Sequence, residues 1–208
     1  KFIKFFTTIE MKAILTGTLF IIFLNSFAQN SYMEIIEAER DTINMEFSDP
    51  ETSILKEEDL KLFSGLKFYP PNENYKVEAV FKKIKNGKEF KMKTSTDRLP
   101  VYYPYGKLKF SIDGNKYKLT LYKNANAKPE YADYLFLPFT DLTNDDDTYG
   151  GGRYLDMEIQ DLENPVIDFN QCYNPYCAYN DRYSCPIPPE ENFLNLRIEA
   201  GVKKFKNH

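Results

Sequence analysis

The side chains able to do chemistry gather in the C-terminal third of this sequence. An acidic run at 145–147 leads into Thr148, Tyr149, three glycines (150–152), Arg153, Tyr154 and Asp156. Asp168, Asn170, Tyr173, Asn174, Asn192 and Glu199 follow, interleaved with Cys172, Cys177 and Cys185. The one histidine is His208, the last residue, so catalysis that relies on an internal imidazole is excluded. Cys177 and Cys185 are separated by seven residues in a loop rich in Pro, Tyr and Asn. A disulfide closing that loop is the first expectation, worth roughly 2–3 kcal/mol in a loop-entropy account. A buried pair of reduced thiols is the second. A zinc site lacks imidazole and C-x-x-C ligands, and a nucleophilic cysteine lacks a base. Cys172 leaves the count odd.

The acidic run places Asp145, Asp147, Gly150 and Asp156 at positions 1, 3, 6 and 12 of a calcium-loop register. Tyr149 and Arg153 fall where ligands belong, so a solvated turn is the plainer reading and no metal site is assigned. The three glycines before Arg153 suit either a backbone nest for an anion or a bulge into the next strand. Asp156, Asp168 and Glu199 are the carboxylates that could share a hydrolytic reaction. Strand alternation turns Asp156 and Glu199 outward, and an Asp168–Arg153 ion pair competes with catalysis by Asp168. Tyr149, Tyr154, Tyr173, Tyr176, Tyr179 and Tyr183 suit either a sugar-stacking surface or an aromatic core, and the absence of Trp weakens the first.

These residues need a scaffold, and 208 residues suffice for one sizeable core. Sixteen Tyr and seventeen Phe argue against disorder. With 27 basic and 31 acidic groups the net charge is −4, which is not the basic footprint of a nucleic-acid protein. Met11 and Lys12 precede an apolar stretch ending in Ser26, Phe27 and Ala28, the pattern of a secretory signal at 11–28 cut after Ala28. About fifteen apolar residues fall short of the roughly 20 that span a bilayer. Residues 1–10 read as the product of an upstream mis-start. Export, periplasmic or secreted, places the cysteines where disulfides persist.

Beyond the signal, a helical segment occupies 29–62, followed by a single β-rich domain at 63–208. Tyr32, Ile35, Ile36, Ile43 and Phe47 recur at helical spacing, with Ser31 and Glu34 as a capping box. A second helix is expected at 53–62. From Tyr75 the period is two, with hairpin turns expected at Asn86-Gly87 and Asp113-Gly114. Further strands are expected at 134–139, 153–159, 165–169 and 193–200. The fold class is mainly β, an antiparallel sandwich or partly open barrel with one or two N-terminal helices, α+β overall.

The stretches Thr148-Tyr149-Gly150, Gly152-Arg153-Tyr154-Leu155, Asp168-Phe169-Asn170 and Tyr173-Asn174-Pro175 together form a recognisable pattern. Cys177-Ala178-Tyr179, Cys185-Pro186, Pro188-Pro189, Asn192, Ala200-Gly201 and, upstream, Gly65-Leu66-Lys67-Phe68 extend it. With these the chain resembles the bacterial and archaeal family known as domain of unknown function 1684, from about Phe63 to Lys203. The resemblance implies no activity. Cys172 departs from the family's small residue, and Val202 from its Glu.

The leading functional expectation is an exported domain that binds a small polar ligand or a cell-envelope partner through the 141–192 loops. Arg153, Tyr154, Asp168, Asn170, Tyr173, Asn174 and Asn192 would form the site, without a cofactor. The alternatives are a histidine-free hydrolase or lyase using Asp168 or Glu199 with Arg153, and a purely structural role for these loops.

Overall fold

The computed structural model describes residues 31–206; the segments 1–10 and 11–28 of the sequence reading lie outside them. Helix α1 runs over 31–48. Its inner stripe is Tyr32, Ile36, Arg40, Ile43 and Phe47, spaced by four, four, three and four residues as one helix face requires. Ile35, expected on that face, is 54% exposed, whereas Arg40 is buried. The expected helix at 53–62 contracts to one turn, α2 (Glu57–Leu60). Ser53 starts a local turn instead, its Oγ accepting the Leu55 N–H at 3.2 Å, a bond that competes with helix.

Eight strands follow: β1 (Lys76–Lys83), β2 (Phe90–Lys91), β3 (Val101–Ile112), β4 (Asn115–Asn124), β5 (Tyr134–Asp141), β6 (Arg153–Glu158), β7 (Val166–Asp168) and β8 (Phe193–Leu194). They form one curled, half-barrel sheet in the order β6-β5-β4-β3-β1-β7, with β2 also on β3 and β8 on β5. All pairings are antiparallel except β5 with β8. The fold is therefore mainly β and α+β overall, as the alternation implied.

The two expected hairpins part ways. At β3–β4, Asp113 and Gly114 both adopt positive φ (49° and 76°) and Ile112 faces Asn115, a tight primed turn. Asn86 also has positive φ, but β1 and β2 do not pair with each other. They lie end to end along β3, Lys83 opposite Gly106 and Phe90 opposite Tyr102. Between them β3 shifts register at Pro104/Gly106, and Gly87 is tucked against it: a Cβ there would lie 2.3 Å from the Pro104 carbonyl oxygen.

Alternation along the strands gives the sheet two apolar faces. Leu119, Leu121, Leu135, Leu137 and Leu155 form an aliphatic core, completed by Phe169, Ile198 and Ala200. On the opposite face lie Tyr102, Tyr122, Phe136 and Tyr154. Tyr122 pairs with Phe136 and Phe136 with Asp156 across the strands, which sets a row of rings beside one carboxylate. Tyr122–Phe136 is the one registered pair of β4 and β5. Where these strands splay, the Asn192 amide takes over the ladder, accepting from Thr120 N–H and donating to the Thr120 and Pro138 carbonyls.

Candidate functional site

Helix α1 and the tyrosine face do not close on each other completely. Between them lies a cavity of about 570 Å³. That is within the 300–1,000 Å³ of ordinary small-molecule sites. Ile36, Arg40, Ile43 and Phe47 line it from the helix, and Tyr102, Tyr134, Phe136 and Tyr154 from the sheet. The segment 170–176 forms a third wall through Asn170, Cys172, Tyr173 and Asn174. The lining is mostly apolar, and the exposed residues Glu39, Glu46, Asp156, Gln171 and Tyr176 mark its mouth.

Two side chains on this lining keep buried polar atoms without a hydrogen-bond partner among the described residues. One is Asn174, 1% exposed, whose Nδ2 donates to the Lys203 carbonyl while Oδ1 accepts nothing. The other is Arg40, 5% exposed. Its Nη1 donates to Glu37 at 3.1 Å and its guanidinium stacks on Phe68, 4.7 Å from the ring centroid. Nε and Nη2 are buried and unpaired. Burial lowers the Arg40 pKa from its usual value, and Glu37 opposes that shift.

At the mouth, Tyr134 and Tyr173 both donate to Asp156 Oδ1, at 2.6 and 2.7 Å. Burial, and then the Asp156 charge, raises both phenol pKa values, so these rings act as hydrogen-bond donors. Tyr154 stacks edge-on against Phe136 and Tyr173, and its hydroxyl donates to the Pro186 carbonyl.

Of the residues expected to bind a ligand, Tyr154, Asn170, Tyr173 and Asn174 meet at this cavity. Asp168 and Asn170 fasten the helix beside it. The Tyr32 hydroxyl donates to Asp168 at 2.8 Å, and Asn170 Nδ2 donates to the Tyr32 oxygen at 2.9 Å. Arg153 lies elsewhere, fully buried. It donates to Asp141 at 2.5 Å rather than to Asp168, and to the Ala200 and Ile198 carbonyls at 2.5 and 2.9 Å. The expected strand at 193–200 is paired only over Phe193–Leu194, and at its far end Arg153 takes the Ile198 and Ala200 carbonyls. Asn192 is likewise buried in the β4–β5 gap. Glu199 is exposed and pairs with Arg197.

The expected disulfide is not formed: Cys172, Cys177 and Cys185 are free thiols. A 3-10 turn at Tyr176–Ala178 aims the Cys177 N–H at Cys185 Sγ, 3.2 Å away, so the two cysteines pack as a hydrogen-bonded pair. The hydrogen bond from Cys185, supported by Ser95 and Tyr149, pulls the Cys177 pKa down to about 6 against the opposing effect of burial. The same bond, with burial, pushes Cys185 up, as expected when two thiols share a proton. Cys172 is fully buried, and burial raises it to about 11. Its sulfur sits beside Gly201 (φ 72°), where a Cβ would meet it at 2.3 Å.

The acidic run turns on Asp145 (φ 67°), and Arg197 binds Asp146 and Asp147 at 2.9 and 2.7 Å. No group of three or more His, Cys, Asp or Glu able to hold a metal occurs among the described residues. The cations beside Gly150 and Gly151 are Lys204 and Lys206, not Arg153.

Arg40 is the residue that the sequence reading missed. Its signal was available: a charge at the centre of an apolar stripe, four residues after Ile36 and three before Ile43.

A helix laid over the aromatic face of a half-barrel sheet, with a ligand-sized cavity between, defines a small α+β domain of cavity-bearing type. The chain belongs to the family described as "Protein of unknown function (DUF1684)", whose model matches residues 61–203. It is similar to the uncharacterized protein from gene locus rrnAC0354 of Haloarcula marismortui, known from a solution NMR structure. The two share 32% identity with a TM-score of 0.66 over 87% of this chain and 98% of that one. Among curated proteins, none matches. Among the described residues no helix is long and apolar enough to cross a membrane.

Proposed function

We propose that this protein binds a small, largely apolar molecule between helix α1 and the tyrosine face of the sheet, and does so outside the cytoplasm after loss of residues 11–28. The observation that carries this reading is the cavity of about 570 Å³, with aromatic walls and a few polar groups at its floor. Such a combination characterises binding sites for small organic molecules. Tyr154, Tyr173 and Phe136 supply the walls, while Asn174 and Arg40 orient the ligand. Arg153, Asn192 and Asp168 hold the scaffold. The export part rests on the apolar stretch before Ala28.

Titration with Nile red, a neutral apolar dye whose emission rises in dry sites, tests the reading. We expect saturable binding at one dye per chain. Ile43→Trp fills the cavity from a half-buried helix position, so it should weaken dye binding at least about tenfold without lowering the melting temperature. Absence of saturable binding, or an Ile43→Trp variant that binds as the parent does, would refute the proposal.

A further inference from the structure

We infer that the ligand of this cavity is an amphipathic monocarboxylate, seated with its carboxylate on the free edge of Arg40 and its apolar body against the tyrosine face. The inference rests on the binding reading above and adds the chemical class.

An arginine guanidinium has two edges with paired N–H donors, Nε with Nη2 and Nη1 with Nη2. In Arg40 the outer Nη1 donor is engaged by Glu37, and one flat face is covered by Phe68. The atoms left over, Nε and Nη2, lie side by side on one edge of the plane. Their two N–H bonds run nearly parallel, spaced to meet both oxygens of one carboxylate. Buried donors are nearly always satisfied, and a charged group left without partners costs more than a neutral one. Arg153, the other buried arginine, also keeps its Nε unpaired, but it binds Asp141 and two carbonyls and lies off the cavity; Arg40 keeps two adjacent donors free on the cavity wall, which calls for an external acceptor.

Charge decides which acceptor. Arg40 is one cation, already shared with Glu37. The mouth carries Glu39, Glu46 and Asp156, and the chain has a net charge of −4. A nucleotide or other polyanion would meet repulsion at the entrance with a single positive group inside. A single carboxylate is matched by a single guanidinium. The aromatic walls favour an aliphatic or aromatic body over a sugar, and a body of this kind also covers the apolar lining that water wets poorly. Asn174 Oδ1, the third unpaired atom on the lining, accepts from a ligand hydroxyl or amide N–H and so favours a substituted acid.

The test displaces bound Nile red with decanoate, decanol and decylamine, three probes with the same chain and different heads. Decanoate should displace the dye at a concentration about 10- to 100-fold lower than decanol, the range for a charge-assisted pair of hydrogen bonds. Decylamine should be no better than decanol. Arg40→Gln should erase the preference for decanoate over decanol. Arg40 is buried, so that its loss can also destabilise the fold, and Glu37→Gln is the companion variant. Glu37 is solvent-exposed, and freeing Arg40 from it should tighten decanoate about two- to fivefold and leave decanol unchanged. Dye binding with equal displacement by all three probes, or a Glu37→Gln variant with weaker or unchanged decanoate binding, overturns the carboxylate assignment and leaves the cavity reading standing. Failure of the dye itself to bind overturns both.

Discussion

Replacing Arg153 with Met tests the division of labour between scaffold and cavity. The guanidinium is fully buried and serves Asp141, itself 3% exposed, together with the carbonyls of Ala200 and Ile198. Methionine keeps much of the volume but leaves the Asp141 carboxylate facing an apolar side chain and two carbonyls without donors. Removing one member of a buried ion pair costs about 3–5 kcal/mol. For a domain of this size each kcal/mol lowers the melting temperature by about 2–4 °C, so a fall of roughly 6–20 °C is expected by calorimetry. Adding Asp141→Leu to Arg153→Met should recover part of the loss, because the stranded charge goes with it. Nile red binding per folded chain should be unchanged, since Arg153 does not line the cavity. A melting temperature within 2 °C of the parent (about 1 kcal/mol or less), or a double variant no better than the single, would show that the pair does not hold this half of the fold.

Three further perturbations follow from the same geometry. Asn192→Ala strips Thr120 and Pro138 of their side-chain partner in the β4–β5 gap and should cost about 1–3 kcal/mol in urea unfolding; no loss would mean that water or backbone fills the gap. Alkylation by iodoacetamide should be fastest at Cys177, with a rate that rises through about pH 6. The pKa is lowered, so the thiolate is lost as pH falls and predominates above that value. Buried Cys172, raised to about 11, should resist labelling at neutral pH, and labelling of Cys172 ahead of Cys177 would contradict the assignment. N-terminal sequencing of the protein recovered from a bacterial periplasm should begin at Gln29, whereas a chain retaining Met11 would refute the export proposal.

Much of this architecture was legible in residue patterns because local rules governed it. Asp113-Gly114 between alternating runs yielded a hairpin, and Leu155, Met157 and Asp156 alternated in and out as a strand demands. The failures came where a distant partner outweighed the local signal. Asn86-Gly87 made a turn but no hairpin, because β3 is long enough to pair with both β1 and β2. The run 193–200 looked like a strand, yet it pairs only over Phe193–Leu194, and Arg153 takes the carbonyls of Ile198 and Ala200. The candidate site was half legible: Tyr154, Asn170, Tyr173 and Asn174 all fall within the 141–192 stretch expected to carry function. Its cation was sought at Arg153 because of the neighbouring glycines, while the one that lines the cavity with two free N–H donors, Arg40, sits on α1.

The most direct check is a methyl-resolved NMR titration of isoleucine-labelled protein with decanoate. Ile36 and Ile43 line the cavity, whereas Ile112, Ile167 and Ile198 belong to the aliphatic core on the other side of the sheet. Saturable shifts are expected at the first two, with the other three nearly unmoved. Shifts that favour the aliphatic core, or no saturable shift at Ile36 and Ile43, would contradict binding in this cavity.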